Sequence, residues 1–559
     1  MWMSKKAISF LSILFLFLSI PLIPVGAAVK PGATCKILGS KVVTGSFVYT
    51  CVKKNSKKYV WDKGTAVKKS SKDFQEQTGS IELGVGNVRL EAAGCHEKGS
   101  ATLQIQSSEG WKDLFPASGW IEDSLCMAPQ IYKPYFEGTL VGGSIVRWRT
   151  LNSSKLEWLS SPQSVTFGSN KTPKLLIVAT DLPLQGGARD LSNSTNKAVE
   201  LVLKQMASQN LIGNFVIGLK FYDNSTVSRG SWDDAACAKN AQAHASRQDE
   251  VAVLGAYNAG CTKIMVPILN KSPNGPMSII SHSASNPGLT KFWSIGEPEK
   301  YYPNKQRNFF RIATTDDSQG YASAKFALDL GVKSVFVLND GTQPYGPGIA
   351  RSFISAAREL GLNVLSEGEA GQQFNPKSTN HSDLFTTIKS KNPDLVYVGG
   401  IFDGNQQLIK DKVKYLGDNT KVKLMLPDGF TGYPDFLALP EAQGAYISFA
   451  GLNNFDFFTA GGAAEKFQND YRTEYGQPPV GSYPVYGAAV AQVLLTAIAK
   501  SDGSREDVLK KIKEIVIPAE KSVTGFEVKF DQNGDSVVQG VTLLQVQNKR
   551  EVFIKSILR

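Results

Sequence analysis

The chain has 559 residues, 42% of them hydrophobic and 20% charged, with a net charge of +11. It is too apolar for a disordered chain and too long for one core, so several domains are expected. The positive balance does not predict a nucleic-acid partner, because it is local: residues 28–78 hold eleven lysines against Asp62, Asp73 and Glu76, and the rest of the mature chain is close to neutral.

The first element in chain order is a leader. Lys5 and Lys6 precede a long apolar run, and Val25-Gly26-Ala27 supplies a small-residue cleavage pattern. This predicts a signal peptide over residues 1–27 and an exported protein, with retention of the run as an anchor the rival reading. In an exported chain Cys35, Cys51, Cys95, Cys126, Cys237 and Cys261 form an even set that predicts three disulfides. Sequence-local pairing (35–51, 95–126, 237–261) is one of 15 possible connectivities. The absence of C-x-x-C and the scatter of His96, His244, His282 and His381 predict no metal site.

Residues 28–68 contain short alternating stretches, "SFVYTCV" and "KKYVW", between Gly, Asn and Ser. They predict a small, basic, disulfide-closed β module, which would suit either an anionic cell-envelope polymer or a solvated face. The polar tract 69–79 reads as a linker. Residues 80–168 ("NVRLEAAGC", "ATLQIQSS", "SIVRWRTLN") predict a second β-rich module, a small sandwich or barrel of open role. Its Trp111, Trp120, Trp148 and Trp158 are read chiefly as core rather than as glycan-stacking residues.

From residue 172 the pattern changes to continuous apolar strands such as "KLLIVAT", "VAVLG", "SVFVLND" and "LVYVGG", alternating with helices at 190–209, 235–247, 261–270, 347–360, 381–391 and 403–415. Such strands are buried on both faces, which predicts parallel α/β sheets; nearly 390 residues of this pattern predict two lobes. No G-x-G-x-x-G or G-x-x-x-x-G-K-[ST] follows a strand, so a nucleotide is not expected. No G-x-S-x-G occurs, and His282 lies beside Ser281 and Ser283 in sequence, where neighbouring side chains cannot form a triad unaided. The reading is of a non-enzyme without cofactors, with a hydrolase the weakest alternative.

The turns "NAGC" after "VAVLG" and "SHSAS" after "SII" present small residues at strand ends, where backbone N–H groups, hydroxyls and helix N-termini suit a carboxylate. Asp428 in "LPDG" stands at another strand end and suits an ammonium. From about Lys174 onward the chain resembles the leucine/isoleucine/valine-binding family, the type I solute-binding proteins of ABC importers. The marks, in family order, include "DLPLQGG", "YDNST", "VAVLGAYNAGC", "SHSASNPGLT", "NFFRIATTDDSQG" and "KSVFVLNDGTQPYGPGIARSF". Residues 30–66 resemble a lysine-rich, two-cysteine module found near the N-terminus of exported actinobacterial proteins.

The resemblance implies a hinged two-lobed clamp for an amino acid or related small amide or carboxylate, working with an ABC permease. It assigns Asn258, Ala259 and Gly260, with Ser283, Ala284 and Ser285, to one lobe (174–311 and 452–527). Tyr345, Phe402 and Asp428 fall to the other (312–451 and 528–559). It also implies a Cys237–Cys261 disulfide. Ala259 departs from the family's serine and costs a carboxylate-binding hydroxyl, while Gly187 and Arg189 stand where no aromatic wall is evident. A ligand sensor or envelope scaffold built on the same clamp is the alternative function.

Overall fold

The computed structural model describes strand segments and short connections between residues 31 and 164, and residues 174–558 apart from 210, 214, 227–229, 403–405 and 453–461. The expected signal, the 69–79 linker, and Cys35, Cys95 and Cys126 lie outside the described residues. The chain divides into two compact units, 1–79 and 80–559. No helix among the described residues is long and apolar enough to cross a membrane.

In the first unit, Lys41–Thr44, Phe47–Asn55, Lys58–Trp61 and Thr65–Ala66 pair antiparallel. Alternation places Cys51 and Val60 among the buried residues, and Cys51 is disulfide-bonded.

In the second unit the β-rich segment is not a separate module. Leu83–Glu91 pairs antiparallel with Phe215–Asp223, and Tyr132–Val141 and Gly119–Glu122 follow outward, so three of its strands extend an α/β sheet. Alternation reveals that a strand has one buried face, but not which sheet edge it joins. The remaining strands, from Ser100–Ser107 to Gln163–Ser164, make a five-stranded sheet. Leu103, Val146 and Trp148 bury with Phe136, and Trp120 packs against them. Trp111 lies beneath the Arg147 guanidinium, 4.0 Å from ring centre to Cζ.

The lobes that follow share one topology. In the first, the parallel strands run Phe309–Arg311, Ser278–Ser281, Glu250–Gly255, Lys174–Leu182, Phe215–Asp223 across the sheet. In the second, they run Asn363–Val364, Ser334–Asn339, Leu395–Gly399, Lys423–Leu426, Tyr446–Phe449, with Gly540–Gln547 and Arg550–Leu558 added antiparallel. Numbered within each lobe, both orders are 2-1-3-4-5. The strand order reverses beside strand 1, which opens a crevice at the carboxyl ends of strands 1 and 3 in each lobe.

Helices seal the first lobe. Arg189–Ser208 buries Leu191, Ala198, Val199, Val202 and Leu203 against Tyr483–Ala499, whose residues are buried on nearly every face. Cys237 and Cys261 join helices Asp234–Ser246 and Ala259–Asn270 through a disulfide with Cα atoms 5.5 Å apart. The chain crosses between lobes beside Arg311, which is fully buried. Its Nε donates to Asp535 (2.7 Å) and its Nη1 to the carbonyls of Ala284 (3.1 Å) and Asn286 (2.7 Å).

Candidate functional site

The crevices of the two lobes face each other, and between them lies a small cavity of about 30 Å³. The first lobe supplies Tyr257, Asn258, Ala259, Ser283 and Ser285; the second supplies Tyr345, Ile401, Asp428, Gly429 and Tyr433. Each group comes from a strand end. Glu250–Gly255 runs into the turn that starts helix Ala259–Asn270, where the first N–H groups lack intrahelical partners. Ser278–Ser281 leads into the serine turn, which the Ser281 hydroxyl holds by accepting from the Ala284 N–H (2.8 Å). Gly429 must be glycine, since a Cβ there would fall 2.3 Å from the Gly400 carbonyl oxygen.

Asp428 is the centre of the site. Its carboxylate accepts hydrogen bonds from the Tyr345 hydroxyl (2.5 Å) and the Tyr483 hydroxyl (2.5 Å). Tyr483 begins the helix of the first lobe, so the second bond spans the cleft. Burial pushes the Asp428 carboxyl up from its ordinary pKa, and the tyrosine hydroxyls offset only part of this. Asp316, fully buried at the start of helix Asp316–Asp329, is raised to about 7, again by burial, with the Ser285 hydroxyl acting against it and the Asp428 charge reinforcing it. Neither Asp316 carboxyl oxygen completes a hydrogen bond of good geometry.

Ser283 donates to the Tyr257 carbonyl (2.7 Å). His282 is packed edge-on between Tyr257 and Tyr483, at 5.3 and 5.9 Å between ring centres. Both of its ring nitrogens are buried without hydrogen-bond partners, and burial lowers its pKa to about 3. A ring so placed meets neither a nucleophile nor an orienting acid, so His282 is not arranged as the base of a triad.

Of the residues picked out in the sequence, Asn258, Ala259, Ser283, Ser285, Tyr345 and Asp428 meet at the cavity. Three do not line it. Gly260 lines a separate pocket beside Trp232, where a Cβ would lie 2.4 Å from that ring. Ala284 is buried behind the turn with its carbonyl on Arg311. Phe402 packs on Tyr433 and Phe436, with ring centres 5.6 and 5.3 Å away, and its neighbour Ile401 reaches the cavity instead. Sequence reasoning missed Tyr257, Tyr433, Tyr483 and Asp316. Tyr257, two residues before Ala259 in the quoted turn, was the most accessible of these. Gly187 and Arg189 do not line the cavity; Arg189 pairs with Asp190 at an exposed helix start. Among the described residues no group of His, Cys, Asp and Glu is arranged to hold a metal ion.

Comparison with known proteins agrees with this architecture. A family model described as "Periplasmic binding protein" matches residues 182–551. The leucine-specific-binding protein of Salmonella typhimurium is 24% identical over 322 residues, covering 54% of this chain and 75% of that protein. Among solved structures, a leucine binding protein of Thermotoga maritima shares the fold with a TM-score of 0.56 at 21% identity, covering 68% of this chain and 98% of that one. A solute binding protein from R. palustris, solved in complex with benzoate, gives a TM-score of 0.54 at 18% identity, covering 68% and 96%.

Proposed function

Because the chain belongs to the periplasmic binding protein family, we propose that residues 174–558 form the solute-binding component of an ABC importer. Its solute is an amino acid or a related small amide or carboxylate, captured outside the cytoplasm and passed unaltered to a membrane permease. The observation that supports this most is Asp428: a buried carboxylate at the cleft between lobes, ringed by tyrosines, with no cation among the cavity-lining residues. A ligand's ammonium supplies the missing charge. Binding between the lobes favours closure because only the closed state offers both sets of contacts.

The hydroxyls of Ser283 and Ser285, the turn at Asn258 and Ala259, and Tyr345 are proposed to hold the polar end of the solute, with Ile401 and Tyr433 against its apolar part. A thermal-shift screen of amino acids, short amides and small carboxylates tests the proposal: a ligand raises the melting temperature through its selective affinity for the folded state. Asp428→Asn is expected to weaken any amine-bearing ligand by about 2 kcal/mol or more, the scale for unpairing a buried charge. No response to any member of the panel would refute the reading.

A further inference from the structure

Among the described residues, the two most exposed large apolar side chains are Ile295, 95% exposed, and Phe292, 76% exposed. They stand three positions apart in one loop of the first lobe, "KFWSIGEPEK" over residues 291–300, with Trp293 half-buried between them. Apolar residues scattered singly over a surface need no explanation, but three within four positions at one turn make a projecting tip.

The base beneath the tip is firmly held. Gly296 turns the chain with a φ of +78°, and the Glu297 N–H donates to the Ser294 carbonyl (3.0 Å). Glu297 is buried; its carboxylate accepts from the Lys263 ammonium (2.9 Å) and the Tyr301 hydroxyl (2.6 Å), and the Lys300 ammonium lies 3.2 Å away. On the other side the Tyr302 hydroxyl donates to the Leu289 carbonyl (2.6 Å), and the Thr290 hydroxyl donates to Asp535 (3.0 Å). A loop tied at both feet has few ways to fold its apolar groups back, so their exposure is built into the fold.

Area and charge decide what covers such a tip. Aromatic side chains bury about 150–250 Å² each, so Phe292, Trp293 and Ile295 together fall well short of the roughly 800 Å² that each partner gives to a stable protein interface. Ser294, Glu299 and Lys300 around them are exposed and polar, so no flat apolar surface extends the patch. Residues 291–307 carry Lys291, Lys300, Lys305 and Arg307 against Glu297 and Glu299. Adding the ion-pair partners Lys263 and Asp317 leaves five cations against three acids. The Lys300 stem lies beside Gly296, which keeps a cation next to the tip. A small apolar wedge with cations at its base complements the interface of a bilayer that carries anionic headgroups.

We propose that the tip at 292–295 is a membrane-contact site that seats the first lobe on an anionic bilayer surface. None of residues 287–305 lines the cavity between the lobes, so contact at the tip leaves the cleft free, whatever solute it holds.

The test uses the full chain with Ile295→Cys carrying a nitrobenzoxadiazole label, and the same label on Leu211→Cys, a half-exposed position of the same lobe, as reference. Vesicles are equal parts phosphatidylglycerol and phosphatidylcholine, or phosphatidylcholine alone. A local probe is needed because the lysine-rich segment 28–78 can adsorb to anionic vesicles by itself. On the anionic vesicles the label at 295 is expected to brighten and shift to the blue while the label at 211 does not. Phe292→Ser in the labelled protein is expected to weaken that response at least about tenfold, the effect of withdrawing one buried ring. The melting temperature is expected to stay within a few degrees of the parent, since the ring is already in water. A label at 295 that stays aqueous overturns the proposal and leaves a protein partner as the occupant of the tip. A label at 211 that responds equally, a response untouched by Phe292→Ser, or an equal response on phosphatidylcholine alone overturns it as well.

Discussion

Behind the first lobe's site, His244 is fully buried between two carboxylates. Its Nε2 lies 2.9 Å from Asp181 and its Nδ1 2.5 Å from Glu250. Burial by itself would lower the imidazole pKa. The charge of Glu250 and the hydrogen bonds to Asp181 and Glu250 outweigh it and raise the pKa to about 9 from an ordinary 6.5. A group whose folded pKa is raised stabilises the fold fully below its unfolded pKa and loses that contribution as pH climbs through the folded value. The window is thus pH 6.5 to 9, and its size is on the order of 3 kcal/mol.

The perturbation that isolates this contribution is Glu250→Gln, which removes the larger of the two charge effects and lets burial draw the imidazole back down. Other groups titrate in the same range, notably Lys412, lowered to about 7 by burial, and Asp316, but they are common to both proteins and cancel in the difference. Urea unfolding of both proteins at pH 6 to 10, followed by far-ultraviolet dichroism, gives the difference directly. The stability gap between wild type and variant is expected to be largest at pH 6 and to shrink by about 3 kcal/mol by pH 10. A gap that stays constant, or widens with pH, would refute the charged-imidazole account.

Two further outcomes follow from contacts already described. Tyr483→Phe keeps the ring but removes the hydrogen bond that spans the cleft to Asp428; with a bond to a carboxylate contributing about 1.5–3 kcal/mol, closure should become less favourable and ligand affinity fall at least tenfold. Small-angle scattering of the unliganded variant should show a larger radius of gyration than wild type; an unchanged radius together with unchanged affinity counts against the cross-cleft role. Replacing Cys237 and Cys261 together by alanine releases a loop closed over 24 residues and should cost about 3 kcal/mol in the loop-entropy account, read as a lower urea midpoint and checked against reduced wild type.

Much of this was legible in the sequence because parallel strands buried on both faces announce themselves as unbroken apolar runs. "VAVLG" and "LVYVG" are buried at every position, and the helices between them begin and end within a few residues of the periodic pattern. The crevice rule puts Asn258, Ser283 and Asp428 each at a strand end, while their meeting across two lobes was implied only by the family resemblance. What failed was finer. Phe402 and Ile401 are neighbours pointing different ways, and a shift of one residue exchanges a cavity wall for a packed aromatic cluster. Tyr483 and Asp316 were invisible because each reaches the site across the lobe boundary, from helix starts whose sequence reads only as core or cap.

The attachment of Leu83–Glu91 to Phe215–Asp223 matters for how this protein can be dissected. Starting the chain near residue 172, as homology to periplasmic binding proteins invites, would strip three strands from one flank and uncover the main-chain edge of Phe215–Asp223 that pairs at Ile217–Leu219. Such an exposed flank is a template for the next molecule, so the shortened form is expected to self-associate more strongly than the full chain, which gel filtration of the two checks. What looks like an optional preface is therefore the edge cover of the first lobe's sheet.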